Sequence, residues 1–287
     1  MVKWCAIVLV AASACAGKEG DGGHVVELSA AAEPIYALMK WDGAFMLPSC
    51  ADAAAQSGVD PAADPAAIEA AVMALAGDLL DRFAFDPLDG HLNVNTIERE
   101  IMRGPDLTDE QLLRDGVTAV ITAIGGENAG DQLQLELSGT TVVGGEMGDE
   151  PTAEMLDKNV GIQRLVLGVG LGDYGNASFE TDGPLISMFA TWRRIDYDAS
   201  TLCVDGIATE EDVMAALAEV LAADGFTIEP TTVELDVGTF YQAIDPALPT
   251  SDTWTLRPVG YAALIDSRGG TIPTYEYYLD DGTSLAD

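Results

Sequence analysis

Apolar positions recur at three- and four-residue spacing over Ile68, Val72, Leu75, Leu79 and Phe83. That spacing puts one greasy stripe on a helix. Asp64 precedes it as an N-cap and Pro65 suits the first turn. Ala62-Ala63 and the Asp-Pro pairs before them read as linker. Upstream, Val25, Val26, Leu28, Ile35, Leu38 and Met39 suit a first helical element within His24–Trp41, near Pro34. Downstream, a short helix is expected from Thr96 to the stop at Gly104-Pro105. Thr108 with Gln111 forms a capping box for another. The β-branched run Val117–Ile124 fits either a continuation of that helix or a strand.

Beyond Gly125 the period changes. Gln132-Leu133-Gln134-Leu135-Glu136-Leu137 alternates, as a half-buried strand does. Ser138-Gly139 then suggests a turn into Thr140–Val143, making a hairpin. Further strands are expected at Gln163–Val169, Leu185–Tyr197, Thr232–Val237, Trp254–Val259, Tyr261–Asp266 and Thr274–Leu279. One helix interrupts them: Thr209 and Asp212 cap it, Val213, Leu217 and Leu221 line it, and Gly225 ends it. The pattern predicts an α+β fold, with a mainly helical region over 24–125 and a mainly antiparallel β-rich region carrying one helix over 126–287. No period of 20–50 residues argues for a solenoid or propeller.

The first fifteen residues have a different texture. Lys3 precedes an apolar run from Trp4 to Ala14, too short to cross a bilayer as a helix, which takes roughly 20 residues. A basic start, a short apolar core and small residues at the end make a secretory signal over 1–14. The run closes Ala12-Ser13-Ala14-Cys15. This resembles the lipobox of bacterial lipoproteins, in which small residues precede the cysteine that receives a diacylglycerol. The resemblance covers only the leader. It implies cleavage before Cys15, acylation of the new amino terminus, and a membrane as partner through that anchor. Ala16 follows the cysteine, and the resemblance therefore implies the outer membrane, with the protein facing the periplasm or the cell exterior. Ala12-x-Ala14 also fits an ordinary signal-peptidase site that cuts the same bond without adding lipid. Residues 15–23, rich in glycine and charge, then read as the lipidated cysteine and a flexible tether.

Four cysteines are present. If Cys5 leaves with the leader and Cys15 carries lipid, Cys50 and Cys203 remain as a pair in a compartment that permits disulfides. Two buried free thiols are the alternative. No Cys/His spacing suggests zinc.

Net charge is −35, with 48% of residues apolar. The apolar content supports a packed core. The charge repels nucleic acid and argues against that class of partner. It suits a hydrated acidic surface for a salty habitat, or a surface that collects Ca²⁺ or cationic partners.

Candidate chemistry is sparse. Gly170-Leu171-Gly172-Asp173-Tyr174-Gly175 fits G-x-G-x-x-G, but no helical pattern follows and Asp173 would set a negative charge in the phosphate cradle. A Gly-rich turn or bulge between strands accounts for it. Asp89, His91, Asn93 and Asn95 place polar side chains at every second position; on an extended segment they would share a face suited, with Asp86 just before it, to Ca²⁺ or a catalytic cluster. The alternative is a polar connection between helices, with Asn95 as a cap. Trp192, Arg194, Asp196 and Asp198 would share a strand face where arginine beside carboxylate could clamp an anion, unless the face is merely solvated and self-paired. Tyr275, Tyr277 and Tyr278 with Asp280 and Asp281 suggest an aromatic ledge for a sugar or cation, or a plain sheet edge. No nucleophile elbow, zinc-protease helix or P-loop occurs, and only two histidines exist, His24 and His91. No catalytic residue and no cofactor are assigned, with Ca²⁺ the one ion the acids suit. Three functional classes follow: a lipid-anchored binding or structural protein, an exported hydrolase using paired carboxylates, and a Ca²⁺-dependent adhesion module.

Overall fold

The computed structural model describes residues 27–43, 45–97, 109–144, 152–180, 183–229, 232–244, 252–266 and 274–285. The leader, Cys15 and the tether to residue 23 lie outside them. In chain order the elements are α1 (Glu33–Tyr36), β1 (Met39–Trp41), α2 (Cys50–Ala53), α3 (Pro65–Ala76), β2 (Leu80–Asp86), β3 (His91–Thr96), α4 (Glu110–Gly125), β4 (Leu133–Gly144), β5 (Thr152–Val166), β6 (Val169–Glu180), β7 (Leu185–Thr191), α5 (Glu210–Ala223), β8 (Thr232–Ile244), β9 (Thr255–Asp266) and β10 (Thr274–Tyr278).

These ten strands form one mixed sheet. Its two wings meet at β6. One wing carries β4-β5-β6-β7-β3-β2, all antiparallel. The other carries β8-β9-β10 antiparallel, with β1 parallel to β8. A parallel pairing of Leu171 with Tyr241 joins β6 to β8.

Each wing has its own helical cover. Helix α3 buries Ile68, Val72 and Leu75, and α4 buries Leu113, Val117, Val120, Ile121 and Ile124, against Leu92, Val94, Val160, Phe179 and Met188 of the first wing. Helix α5 buries Val213, Leu217 and Leu221 against Leu235, Val237, Leu256 and Ala262 of the second. Full burial of each such side chain stabilises by about 1.5–3 kcal/mol, so each apolar stripe fixes its helix to one wing.

Helix ends follow local chemistry. The Asp64 carboxylate accepts from the Ala66 and Ala67 amides, at 3.0 and 3.4 Å. Thr209 Oγ1 accepts from the Asp212 amide at 3.2 Å while the Asp212 carboxylate accepts from the Thr209 amide at 2.9 Å, a reciprocal capping box. Val117–Ile124 is helix, because its buried positions extend the three-and-four spacing begun at Leu113. The cap of α4 is Asp109, whose carboxylate accepts from the Gln111 amide at 2.7 Å; Thr108 is outside the described residues.

The helical N-terminal half is not seen, and the sheet is mixed. Helix α3 stops at Gly77, and the spacing that carried on to Phe83 runs into β2, which pairs residue by residue with β3. Phe83-Ala84-Phe85 is an alternating pattern that the helical reading had absorbed. Around Pro34 a single helical turn leads at once into β1. Thr96 closes β3 and opens no helix; residues 98–108 are not described. Ser138-Gly139 makes no turn: β4 runs straight through it and pairs with β5 from Leu133↔Arg164 to Gly144↔Thr152. The two strands expected over 254–266 are one strand, β9, and the strand starting at Leu185 ends at Thr191.

Cys50 and Cys203 are disulfide-bonded, with Cα atoms 5.2 Å apart and a sequence separation of 153. The bond ties α2 to the loop before α5. Cys203→Ser is expected to lower the unfolding free energy by up to ~5 kcal/mol on the loop-entropy account. Urea unfolding of the two proteins side by side measures it; equal midpoints would show that the crosslink restrains nothing.

Candidate functional site

Inward positions of β5 alternate as Val160, Ile162, Arg164 and Val166. Three are aliphatic. The fourth is an arginine with none of its surface exposed. It sits where β6 loses register on both edges. On one side Gln163 pairs with Tyr174 and Leu165 with Gly170, so Leu171, Gly172 and Asp173 together face Arg164. On the other side β6 changes partner, from β8 at Leu171 to β7 at Gly175. The bulge opens a polar hole between the two cores, and the guanidinium fills it.

Arg164 Nε donates to Gln132 Oε1 at 2.8 Å, and Nη2 donates to Asp60 Oδ2 at 2.5 Å and to the Tyr197 hydroxyl at 2.9 Å. Nη1 donates to the Arg193 carbonyl and lies 3.8 Å from Asp173 Oδ2. The guanidinium stacks on Trp192, 4.7 Å from the ring centroid. Burial works against the charge on Arg164, but Tyr197, Asp60 and Asp173 hold its pKa above the ordinary value. Asp173 is fully buried too, and burial pushes its carboxyl up against the pull of Arg164 and Arg193. Its oxygens accept from the Arg193 amide at 2.9 Å and from Arg193 Nη1 at 2.5 Å. Burial likewise raises the Tyr197 phenol, with Arg164 opposing.

Above this cluster lies a cavity of about 250 Å³. Pro61, Phe85, Leu88, Ile124 and Trp192 give it apolar walls, and Asp60, Arg194 and Asp252 are its charged groups. Arg194 Nε donates to the Asp60 carbonyl at 2.6 Å and Nη1 to Asp252 at 2.8 Å. The stretch from Asp60 to Ala63, whose composition reads as linker, is part of this wall. It is pinned by the Asp60 amide to the Ile195 carbonyl at 2.8 Å and by the Ile195 amide to Asp60 Oδ2 at 2.9 Å. The arrangement suits an apolar body with a charged or polar tip, which is the usual make-up of a small-molecule site.

Of the residues expected to form a site, Trp192 and Arg194 reach this cavity and the others do not. Asp196 and Asp198 do not share a strand with them, because β7 has ended. Asp196 Oδ1 accepts from the Ala199 amide at 3.1 Å and Asp198 Oδ1 from the Gly58 amide at 3.0 Å, so both shape loops. Asp86, Asp89, His91 and Asn93 lie on the β2–β3 hairpin, which is not a connection between helices. Asp86 Oδ1 accepts from the Leu88 amide at 2.9 Å within the turn; Asn93 accepts from Asn95 at 3.0 Å on the outer face of β3. His91 Nδ1 lies 3.4 Å from Thr191 Oγ1. No group of three or more His, Cys, Asp or Glu side chains gathers as a metal site among the described residues. The G-x-G-x-x-G stretch lies in β6 and opens no helix; of the turn and the bulge that could account for it, the bulge is what forms. Tyr277 is buried, Tyr275 packs edge-on against Phe226 at 5.2 Å, and Arg257 covers Tyr278 at 3.9 Å while pairing with Asp280 and Asp281. That edge is occupied by its own side chains.

Sequence reasoning missed Asp60, Arg164 and Asp252. The usable signal was Arg164 at an inward parity of an alternating strand, in a chain with only 13 lysines and arginines. The chain matches no protein-family model and no curated protein sequence.

Arg164→Met is expected to cost about 3–5 kcal/mol, because it strands Asp60 and Asp173 without their shared cation. Arg164→Lys is expected to recover less than half of that loss, since one ammonium cannot reach the spread of acceptors that a planar guanidinium serves. Denaturant unfolding checks both; a loss under about 1 kcal/mol would mean the pair behaves like an exposed surface bridge.

Proposed function

We propose that this is an exported lipoprotein with a binding role, fastened to the outer membrane by acyl chains on Cys15. The leader and its terminal Ala12-Ser13-Ala14-Cys15 support the anchor. Several acyl chains hold a protein at a bilayer lastingly where one holds it marginally, at about 0.8 kcal/mol per buried CH₂. The Cys50–Cys203 bond agrees with an oxidising compartment. Among the described residues no helix is long and apolar enough to cross a membrane.

The observation that carries the binding role is the cavity at the wing junction. Its walls are fixed from below by the Arg164 cluster and from the side by Asp60, so it stands open without rearrangement. Preorganisation of this kind lowers the entropic cost of taking up a ligand. A hydrolase reading draws no support from the same site. Asp173 is sealed from any substrate, and Asp60 and Asp252 are held by arginines.

Two measurements test the proposal. Intact mass of the membrane-extracted protein is expected to equal the chain from Cys15 plus diacylglycerol and acyl groups, and Cys15→Ser is expected to leave the membrane fraction. An unprocessed wild-type mass, or a serine variant that still sediments with membranes, would remove the anchor. For the cavity, the folded protein is expected to enhance the fluorescence of 1-anilinonaphthalene-8-sulfonate, whose rings match the walls and whose sulfonate matches Arg194. Arg194→Ala is expected to weaken that binding about tenfold, the scale of one charge-assisted hydrogen bond; unchanged binding would place the dye elsewhere and withdraw the site.

A further inference from the structure

A second cavity, of about 320 Å³, opens on the β8–β9 wing. Its lining includes Asp42, Phe45, Gln163, Gly172, Phe240 and Tyr261. Two bare backbone positions let the rings lie on the sheet. Gly238 pairs across the ladder with Tyr261, and a Cβ there would fall 2.5 Å from the phenol oxygen. A Cβ on Gly170 would fall 2.8 Å from the Phe45 ring. Thr239 Oγ1 donates to the Phe45 carbonyl at 2.7 Å and pins that loop over the sheet. Phe240 and Tyr261 stand 6.3 Å apart between centroids and tilted by 41°, so they are splayed walls, not a closed stack.

The electrostatics of this pocket have one sign. Asp42 is in the lining; its carboxylate makes no side-chain hydrogen bond or salt bridge among the described residues, although the Lys40 ammonium lies within its electrostatic reach. Asp236 shares the face of β8 with Gly238 and Phe240 by strand alternation. The Tyr261 phenol is raised by burial and then further by Asp42 and Asp236, which reports a negative potential at the ring. Lys40, on neighbouring β1, is engaged by Glu234 at 3.2 Å. Splayed π-faces beside an open carboxylate attract a large, weakly hydrated cation. A small metal ion would instead need several oxygen ligands at close range.

We propose that this cavity binds a trimethylammonium group, with Phe45, Phe240 and Tyr261 supplying the aromatic faces and Asp42 the countercharge. It is a site separate from the junction cavity and does not depend on it. The group could arrive on a free cation such as choline or on a phosphocholine lipid headgroup, and the experiment separates the two.

Isothermal titration of the folded protein with choline is expected to show saturable binding. The neutral isostere 3,3-dimethyl-1-butanol, with a tert-butyl group in place of trimethylammonium, is expected to bind at least about fivefold more weakly. Asp42→Asn and Phe240→Leu are each expected to weaken choline by about twofold to fivefold. Asp42 is exposed, so its variant keeps the test open should the aromatic variant fail to fold. In a second arm, the Cys15→Ser chain, which has no acyl group of its own, is mixed with phosphatidylcholine vesicles. Sedimentation with them that choline displaces assigns the headgroup as the source; choline binding without sedimentation assigns the free cation. Absence of saturable choline binding, equal affinity for the isostere, or unchanged affinity in Asp42→Asn overturns the proposal.

Discussion

A buried guanidinium holds the two halves of this protein in one piece. Arg164 has no exposed surface, yet it meets acceptors from three separate stretches of chain, Asp60, Gln132 and the loop that holds Arg193 and Tyr197, with Asp173 close by. Removing such a charge from water is costly, and the cost is offset only when every donor finds a partner. Arg164 meets that requirement, whereas Nε of the neighbouring Arg193 is buried without a hydrogen-bond partner among the described residues. Three arginines, at 164, 193 and 194, are matched by three aspartates, at 60, 173 and 252. The bulge in β6 that opposes three residues to one is the backbone's share of the same arrangement.

The cluster and the disulfide act on different parts of the problem. Each wing has an apolar core of its own, covered by its own helices. Hydrophobic burial stabilises each wing but is non-directional and does not fix the angle between them. Arg164 and its acceptors do, because hydrogen bonds fail when geometry drifts. Cys50–Cys203 restrains the second wing from another side by closing a long loop. The cavity above Arg164 inherits its shape from both wings, since Phe85 and Ile124 belong to one and Asp252 leads into β9 of the other.

Function reads outward from this frame. The described part of this acidic chain offers two cavities of different character. One has an arginine at its apolar mouth; the other has aromatic rings and an open carboxylate. The heavy negative charge of the surface favours cations at the second and makes the arginine of the first a rare positive feature. That contrast rests on scarcity: thirteen basic residues are few enough for the position of each to matter.

Local signals were legible without coordinates. Asp64 before Pro65, the Thr209–Asp212 box and the stripes of α3 and α5 announce helices, because caps and one-sided burial are written within a few residues. The pairing of Cys50 with Cys203 was open to counting on the reading that Cys5 and Cys15 belong to a leader and its anchor. Partnership was not legible. Phe83-Ala84-Phe85 continues a helical spacing as well as it begins a strand, and only the ladder to β3 decides between them. Ser138-Gly139 looks like a turn until the facing strand β5 supplies a ladder straight past it. Arg194 stood out because two adjacent arginines are conspicuous in so acidic a chain, whereas Asp60 and Asp252 gain their meaning from residues more than fifty positions away. The sequence by itself determined where α3 and α5 start and which of their faces are greasy, for these depend on neighbours along the chain. The tertiary structure alone decided the mixed sheet, the choice of a bulge over a turn at Asp173 and the filling of that hole by Arg164, since a long-range hydrogen bond leaves no periodic trace in the residues that make it.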